Sequence, residues 1–291
     1  MNILITGGLG HIGSYLCREL EDNITIVDNL STQRYCSLFD LPKNVTFIEG
    51  NFQDIDTELI AGQDIVIHLA AITDASSSFD IQEKITQLNI TDTCTFLDKV
   101  TRLNKYIIFP SSTSVYGSNE DIMYESSSTL NPQSPYAASK IFVENYLRNY
   151  MNCVIFRFGT IFGVSPGMRF HTAINKFCYQ ARFNQPLTVW KDNIRMQRPY
   201  LGLIDMSQAI ELAINKRITG IYNVLTNNYT LESIINSIRS RVPDIRINKV
   251  STPLLNQYSY VVNFDKIKNL GYDPVDNVEV QIHLTLSKLG L

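Results

Sequence analysis

The sequence predicts an α/β protein with a doubly wound parallel sheet, and three observations support this. Short apolar runs, which suit strands buried on both faces of a sheet, alternate with helical patterns through the first half of the chain. A glycine-rich turn joins the first strand to the first helix. Several strands end in small or polar residues, which mark the sheet edge where ligands bind. Such alternation is typical of parallel sheets covered by helices on both faces.

The strands and helices follow from the apolar patterns. Strands are predicted at residues 3–5, 24–27, 45–48, 65–69, 106–110 and 153–158. Helices are predicted at about 12–20, 81–102, 136–150, 173–182 and 205–215, with two shorter ones that begin at 230 and 265. Asp205 and Thr230 are expected to cap their helices. Because periodicity weakens after Phe158, we expect residues 1–162 to form the main domain, with about 197–226 returning to it. Residues 163–291 would mainly form a smaller C-terminal α/β domain.

The composition excludes several functional classes. With 291 residues, 44% apolar and 18% charged, the chain resembles an ordinary globular protein that can bury an ample core. Its net charge of −3 offers no basic surface for nucleic acid. No apolar run approaches the roughly 18 residues that cross a bilayer, and no leader pattern precedes the first strand. Five cysteines without metal-ligand spacing indicate free thiols and a reducing compartment. We therefore expect a cytoplasmic protein without a metal site and with neither nucleic acid nor a membrane as partner.

The glycine-rich turn is the first candidate binding site. The sequence TGGLGHIG spaces its key glycines as G-x-x-G-x-x-G, directly between a strand and a helix. Glycines at such a turn allow the backbone to approach a pyrophosphate, whose charge is stabilised by the free N–H groups at the helix N-terminus. This arrangement predicts a Rossmann-type dinucleotide site. The expected cofactor contacts in the turn are Gly7, Gly10, His11, Ile12 and Gly13.

A carboxylate after the second strand favours NAD as the dinucleotide. Asp28 lies about twenty residues past the glycine turn, where it can accept hydrogen bonds from both hydroxyls of an adenosine ribose. Its charge would repel the 2′-phosphate of NADP, although the nearby Arg34 keeps NADP open as a minor option. Asn29 and Ser31 follow Asp28 and complete this part of the predicted site.

Other strand ends supply further predicted cofactor contacts. Asn51 and Phe52 follow the third strand, with Phe52 expected against the adenine. The fourth strand ends in His68, for which we predict a structural role. The small residues that follow would let the cofactor approach the backbone. The remaining predicted contacts are Leu69, Ala70 and Ala71 after this strand, and Asn89 on the next helical pattern.

Two blocks beyond the fifth strand contain the candidate catalytic residues. The strand delivers Ser112 to the ligand-binding edge in SSTSVYG, and the next helix begins in SPYAASK with Tyr136 and Lys140 one turn apart. Ser134 suits the cap of this helix and Pro135 its first position. A tyrosinate near neutral pH needs its pKa lowered by about 3. One neighbouring cation supplies about 1–3, so we expect Lys140 and the positive ring of an oxidised nicotinamide to act together.

These blocks together resemble the extended short-chain dehydrogenase/reductase superfamily, in particular its NAD-dependent epimerase/dehydratase branch that acts on nucleotide sugars. The resemblance covers nearly the whole chain. It implies that Tyr136 is the acid/base, that Lys140 holds the nicotinamide ribose and lowers the tyrosine pKa, and that Ser112 contacts the reacting oxygen. It also implies a substrate-binding C-terminal domain and a role in carbohydrate metabolism such as polysaccharide biosynthesis. The expected contacts with a nucleotide-diphosphate sugar are Ser112, Thr113, Arg169 and Arg198.

The resemblance further implies a homodimer. In many relatives the helices equivalent to those of Asn89 and Tyr136 form a four-helix bundle between subunits. The apolar residues Phe142, Tyr146 and Leu147 are compatible with such an interface, although a core role explains them equally well.

Departures from the family pattern narrow the reaction. The 4,6-dehydratases of this branch place Asp-Glu directly after the catalytic Ser or Thr, whereas this chain has Thr113 and Ser114, which cannot act as carboxylate bases. Nucleotide-sugar epimerases often have Asn at the position of Thr160 and Asp at that of Asn51, and these two changes bear on diphosphate and adenine binding but not on the family. Because the Asp-Glu pair is absent, we expect an epimerase, most simply at C4, with a 4-keto reductase or dehydrogenase as the alternative. A dehydratase or a non-catalytic NAD-binding protein is less favoured.

Overall fold

The computed structural model describes residues 1–73, 79–117, 122–127, 130–251 and 260–291. A seven-stranded parallel sheet forms its centre, in the spatial order β11-β7-β5-β4-β1-β2-β3, with strands numbered along the chain. The order reverses at β1, so the sheet is doubly wound and has a ligand-binding crevice at its carboxyl edge. These strands are β1 (Asn2–Thr6), β2 (Asn23–Asp28), β3 (Val45–Glu49), β4 (Ile65–His68), β5 (Tyr106–Ser112), β7 (Cys153–Phe158) and β11 (Gly220–Val224).

Helices cover both faces of this sheet. Their bounds are α1 (His11–Glu19), α2 (Thr57–Ala61), α3 (Gln82–Ile85), α4 (Thr93–Arg102), α5 (Pro135–Leu147) and α7 (Leu203–Lys216), with a π-helical segment at Thr86–Asp92 between α3 and α4. Successive side chains of a strand point to opposite faces. Accordingly, Ile3 and Ile5 pack with α1 and α7, whereas Leu4 packs with α2 and α4.

The second half of the chain forms smaller sheets with their own core. The strands β8 (Thr160–Phe162), β10 (Gln197–Gly202) and β12 (Asn227–Thr230) form one sheet, β9 (Leu187–Trp190) pairs with β13 (Ile247–Val250), and β6 (Ile122–Met123) pairs with β14 (Val261–Val262). The helices are α6 (Ala173–Arg182), α8 (Leu231–Arg239), α9 (Asp265–Lys268) and α10 (Val278–Lys288). Phe177, Ile234 and Ile282 join α6, α8 and α10 in one apolar core.

The predicted fold class is confirmed, with differences in detail. All six predicted strands are present within two residues of their expected ends, and Ser134 and Thr230 cap α5 and α8 by accepting from backbone N–H groups. The strand β11 was not predicted. The capping role of Asp205 is wrong, because Gly202 occupies that position and Asp205 lies inside α7. Its buried carboxylate instead accepts from the backbone N–H groups of Val275 and Asp276.

None of the helices in the described part of the chain has the length and apolar character needed to cross a membrane.

Candidate active site

A cleft of about 860 Å³ opens along the carboxyl edge of the main sheet and extends over β8 and β10. It brings together residues from both halves of the chain. Every site residue predicted from the sequence lines this cleft except Asn89. Asn89 lies behind the wall, in the π-helical segment, where its side-chain amide accepts from the N–H and donates to the carbonyl of Ile72 at 2.9 Å each. Its contact is therefore with the loop after β4, which it holds against the helix.

The glycine turn has the shape that a pyrophosphate site requires. Gly7 has a φ of +70°, and a Cβ there would lie 2.7 Å from the backbone N of Ala70. A Cβ at Gly13 would lie 2.6 Å from the Cα of Gly8. Gly10 caps α1 without any side-chain hydrogen bond, so the first N–H groups of the helix are available to an anion. The residues present thus fit the phosphates of a dinucleotide.

Asp28 lies at the end of β2, beside the glycine turn. Its carboxylate accepts from the backbone N–H groups of Leu9 at 3.1 Å and Leu30 at 2.9 Å. These two bonds fix the carboxylate while leaving lone pairs for the hydroxyls of a ribose. Arg34 is close enough for Asp28 to raise its pKa, but burial and the charge of Arg169 outweigh this and lower the pKa of Arg34 to about 10.

We expect Asp28→Asn to weaken NAD binding about 10–100-fold, because hydrogen bonds to a charged group contribute about 1.5–3 kcal/mol. Calorimetric titration of NAD measures the change. Asp22→Asn is the matched control, since Asp22 lies at the opposite end of β2 and pairs with the terminal amine of Met1. Equal NAD affinity in the Asp28 variant and the wild type would show that this carboxylate does not hold the ribose.

The other predicted cofactor residues line the same end of the cleft. Asn29 donates to the side-chain oxygen of Asn51 at 2.9 Å, which joins the ends of β2 and β3. Phe52 is 5% exposed and packs edge-on against His68. His68 is buried and hydrogen-bonds to Thr6 and Thr93. Burial and the charge of Lys140 lower the pKa of His68 to about 3, so this ring is neutral at neutral pH and has the structural role predicted for it.

Ser112, Tyr136 and Lys140 converge at the centre of the cleft. Ser112 ends β5 and accepts from the N–H and the hydroxyl of Ser114 at 3.2 and 2.9 Å. Tyr136 occupies the first turn of α5 and forms a side-chain hydrogen bond with Ser112. Lys140, one turn further, is buried and donates to the carbonyl of Pro110 at 2.8 Å. Two points of β5 are thus joined to two successive turns of α5.

The pKa of Tyr136 differs from the expectation. Burial raises it to about 12, while the hydrogen bond from Ser112 and the charge of Arg169 lower it only in part. Burial also lowers the pKa of Lys140 to about 8, against the opposing effect of Glu144. The lowering expected from Lys140 is not found, because the groups that lower the pKa of Tyr136 are Ser112 and Arg169. Within the protein, Arg169 is the cation that acts on Tyr136, a role that the sequence did not indicate.

A buried ion pair supports this arrangement from behind. Glu144, one turn after Lys140, accepts a short hydrogen bond from Ser111 and pairs with Arg157 on β7 at 2.6 Å. Arg157 also donates to the hydroxyl of Tyr116 at 2.9 Å, in the turn that follows Ser112. Burial lowers the pKa of Arg157, but the hydrogen bonds and charge of Glu144 raise this pKa by more than burial lowers it. Arg157 therefore stays charged. The pair joins α5, β5 and β7 beneath the reacting groups.

Several further cationic residues line the cleft. Arg198 lies with its guanidinium 5.6 Å from the ring centre of Tyr260, and its buried Nε has no hydrogen-bond partner among the described residues. Arg169 donates to the hydroxyl of Thr73. Two further lining residues, His171 and Tyr260, come from segments without clear periodicity and were not predicted. Lys176 also lines the cleft, on the predicted helix 173–182, but its helical pattern gave no sign of a binding role.

The fold and the cleft together are those of a dinucleotide-binding α/β protein, with Ser112, Tyr136 and Lys140 lining the cleft. The family model described as the NAD dependent epimerase/dehydratase family matches residues 3–224. The chain therefore belongs to this family, as the sequence motifs predict, and NAD as its cofactor is confirmed.

Curated relatives include enzymes of more than one reaction type. The low-salt glycan biosynthesis protein Agl12 of Haloferax volcanii is 26% identical over 94% of both chains. A trifunctional UDP-glucose 4,6-dehydratase, 3,5-epimerase and reductase of Arabidopsis thaliana, RHM3, is 29% identical over 98% of this chain. The chain spans 46% of the length of that plant protein.

Solved structures are similar over nearly the whole chain. The UDP-N-acetylglucosamine 4-epimerase of Methanobrevibacter ruminantium, in complex with UDP-N-acetylmuramic acid, is 25% identical with a TM-score of 0.88, over 99% of this chain and 97% of that one. The UDP-glucuronic acid 4-epimerase of Bacillus cereus, in complex with UDP-glucuronic acid and NAD, is 25% identical with a TM-score of 0.85, over 99% and 100%. The chain is thus an enzyme of a nucleotide-sugar epimerase/dehydratase family.

Proposed function

We propose that the protein is an NAD-dependent nucleotide-sugar epimerase that inverts the configuration at C4. The observation that supports this most is that no carboxylate lines the cleft near Tyr136 in the part of the chain that the structure describes. Among the described residues that line the cleft, Asp28 is the only acidic one, and it lies at the end of β2 beside the glycine turn. Thr113 and Ser114 follow Ser112 where a 4,6-dehydratase would have Asp-Glu. Elimination of water needs acid and base groups that these hydroxyls cannot supply.

The chain's own residues suit transient oxidation of a sugar hydroxyl. When bound, NAD supplies a hydride acceptor that later returns the hydride, so the turnover has no net redox change. Tyr136 removes the proton of the C4 hydroxyl and returns it after the keto-sugar has turned in the cleft. Ser112 donates a hydrogen bond to the reacting oxygen, where negative charge develops. The positive charge of Arg169 lowers the pKa of Tyr136 and so favours the tyrosinate, while Lys140 is one turn further along α5, where it would hold the nicotinamide ribose.

The arginines that line the cleft suit the nucleoside diphosphate of the substrate. The unpartnered Nε of Arg198 is a buried donor that a phosphate oxygen would satisfy, and a buried donor without a partner is unfavourable. Arg169 and Lys176 also line the cleft and add positive charge to it. Arginine binds phosphate through paired N–H groups. We therefore assign the diphosphate to Arg198 and Arg169.

Two measurements test this proposal. Denatured purified protein should release NAD or NADH, because a cofactor that is regenerated in every cycle remains bound. A panel of UDP-, GDP-, CDP- and dTDP-hexoses should then reveal one pair of C4 epimers that interconvert without added reductant. A steady absorbance change at 340 nm with a keto-sugar would instead identify a reductase or dehydrogenase. NAD binding without turnover of any sugar would identify a non-catalytic protein.

We also propose a homodimer formed through α4 and α5. Phe142 is 51% exposed and Tyr146 is 39% exposed on α5, and an apolar helix face of this kind suits an interface. Leu147, which the sequence left open, is 1% exposed and belongs to the core instead. The dimer predicts twice the chain mass in sedimentation equilibrium, and Phe142→Asp should give monomers. Phe183→Asp, which changes a similarly exposed phenylalanine directly after α6, should remain dimeric. A wild type that sediments only as a monomer would contradict the proposal.

A further inference from the structure

The segment 163–167, which follows β8, lies directly on the cofactor-binding glycine turn. A Cβ at Gly167 would lie 2.2 Å from the carbonyl oxygen of Leu9, so the two backbones are in contact. His11 donates from its Nε2 to the carbonyl of Gly163 at 2.9 Å. Burial, followed by the charge of Arg34 and other nearby cations, lowers the pKa of His11 to about 4, so at neutral pH this donor is an uncharged imidazole.

A chain of hydrogen bonds connects the segment 163–167 to the first turn of α1. The N–H of Gly167 donates to the hydroxyl of Ser14 at 2.9 Å, Ser14 donates to Ser165 at 3.2 Å, and Ser165 donates to the carbonyl of His11 at 2.9 Å. Each serine hydroxyl in the chain accepts one hydrogen bond and donates the next, and hydrogen bonds linked in this way strengthen one another. Ser14 is 0% exposed and Ser165 is 5% exposed, so water does not compete for these bonds.

The same segment continues directly into Arg169. The N–H of Met168 donates to the carbonyl of Ser165 at 3.1 Å, which forms a turn just before Arg169. On its other side, the carbonyl of Arg169 accepts from the buried side chain of Asn175 on α6 at 3.0 Å. The backbone of Arg169 is therefore held on one side by Asn175 of α6 and on the other, through Ser14, by the cofactor turn.

We propose that Ser14 is a positioning residue which, through Ser165 and Gly167, places Arg169 between the cofactor turn and the substrate. This rests on the proposed function only in that Arg169 contacts the substrate diphosphate. Nothing in the glycine pattern requires a serine at position 14, since its hydroxyl faces the segment 163–167 and not the cleft. The arrangement links the cofactor turn to the substrate contact within one hydrogen-bonded chain.

A double-mutant cycle on the NAD-loaded protein tests the role of Ser14. The measured quantity is the Kd of the tightest-binding of UDP, GDP, CDP and dTDP. We expect Ser14→Ala to weaken binding about tenfold when Arg169 is present, because it removes two hydrogen bonds. In the Arg169→Gln background, the same substitution should weaken binding less than about twofold, because the group that Ser14 positions is gone. An equal effect in both backgrounds would overturn the proposal.

Ser37→Ala provides the matched control. Ser37 is also fully buried and donates to the carbonyl of Leu9 in the same glycine turn at 2.9 Å. Its other hydrogen bonds are to Arg18 and Arg34 and not to the segment 163–167. Its effect on the Kd should be the same with and without Arg169. A dependence on Arg169 as large as that of Ser14 would show a general loosening of the turn and would contradict a specific role for Ser14.

Amide hydrogen exchange gives a readout that does not depend on any substrate. Ser14→Ala should accelerate exchange across residues 163–169 at least about tenfold, because it leaves the N–H of Gly167 without its acceptor, whereas Ser37→Ala should not. Unchanged exchange in Ser14→Ala would refute the positioning of this segment. If no nucleoside diphosphate binds the wild type, the proposed function fails, and the exchange rates alone then decide on the role of Ser14.

Discussion

Replacement of Tyr136 with phenylalanine is expected to lower kcat about 10²–10⁴-fold, with little change in the affinity for nucleotide sugar. The substitution removes only the hydroxyl that exchanges a proton with the substrate, and positioned acid–base groups contribute rate factors of about this size. The ring remains to fill its place at the start of α5. Steady-state kinetics with the substrate found in the hexose panel measures kcat, and titration calorimetry measures the affinity.

Tyr106, on the strand that ends at Ser112, offers a control for Tyr136. The hydroxyl of Tyr106, at the other end of β5, donates to the carbonyl of Ile218 at 2.6 Å. Tyr106→Phe therefore removes a buried phenolic hydrogen bond far from the cleft and should leave kcat within about threefold of the wild type. If Tyr136→Phe retained wild-type kcat, another group would have to move the proton, and the role assigned to Tyr136 would be wrong.

Arg157→Met is expected to lower the free energy of unfolding by about 3–5 kcal/mol. It leaves the carboxylate of Glu144 buried without its partner, and breaking one side of a buried ion pair costs about this much. Glu144 is 3% exposed and Arg157 is 3% exposed, so solvent cannot replace the lost contact. Urea denaturation at pH 7 measures the change.

The double variant Glu144→Met/Arg157→Met separates pairing from packing. Removing both charges avoids the uncompensated carboxylate, so the double variant should recover most of the stability that Arg157→Met loses. We expect it to turn over more slowly than the wild type, because Glu144 also accepts from Ser111 next to the catalytic Ser112. Stability of Arg157→Met equal to that of the wild type would show that the pair does not contribute to the fold.

Local sequence patterns were sufficient to predict that the candidate catalytic residues line one cleft. Ser112 ends a predicted strand and Tyr136 begins a predicted helix, and in a parallel sheet these ends meet at one edge. The cap at Ser134 and the position of Lys140 one turn after Tyr136 followed from helix geometry alone. The same reasoning placed Asp28 beside the glycine turn. All of these residues belong to regular elements whose direction the apolar patterns reveal.

Local sequence patterns could not predict contacts between distant segments of the chain. Tyr260 and His171 enter the cleft from stretches that show no clear period, and the bonds of Ser14 to the segment 163–167 join positions far apart in the chain. Burial also decides the pKa of Tyr136, which the sequence led us to expect below its usual value and which the structure raises to about 12. The desolvation of a side chain depends on the packed site and is not a property of its motif.

A sugar labelled with deuterium at C4 tests the central claim most directly. If the C4 hydrogen leaves as hydride and returns within the same cleft, the C4-epimeric product should keep the deuterium at C4, with no label in water and no accumulation of free reduced cofactor. This result is expected for the nucleotide hexose that the protein turns over, with only the NAD that purifies with it. Loss of the label to solvent, or an equimolar yield of reduced cofactor carrying it, would contradict epimerisation through Tyr136 and bound NAD.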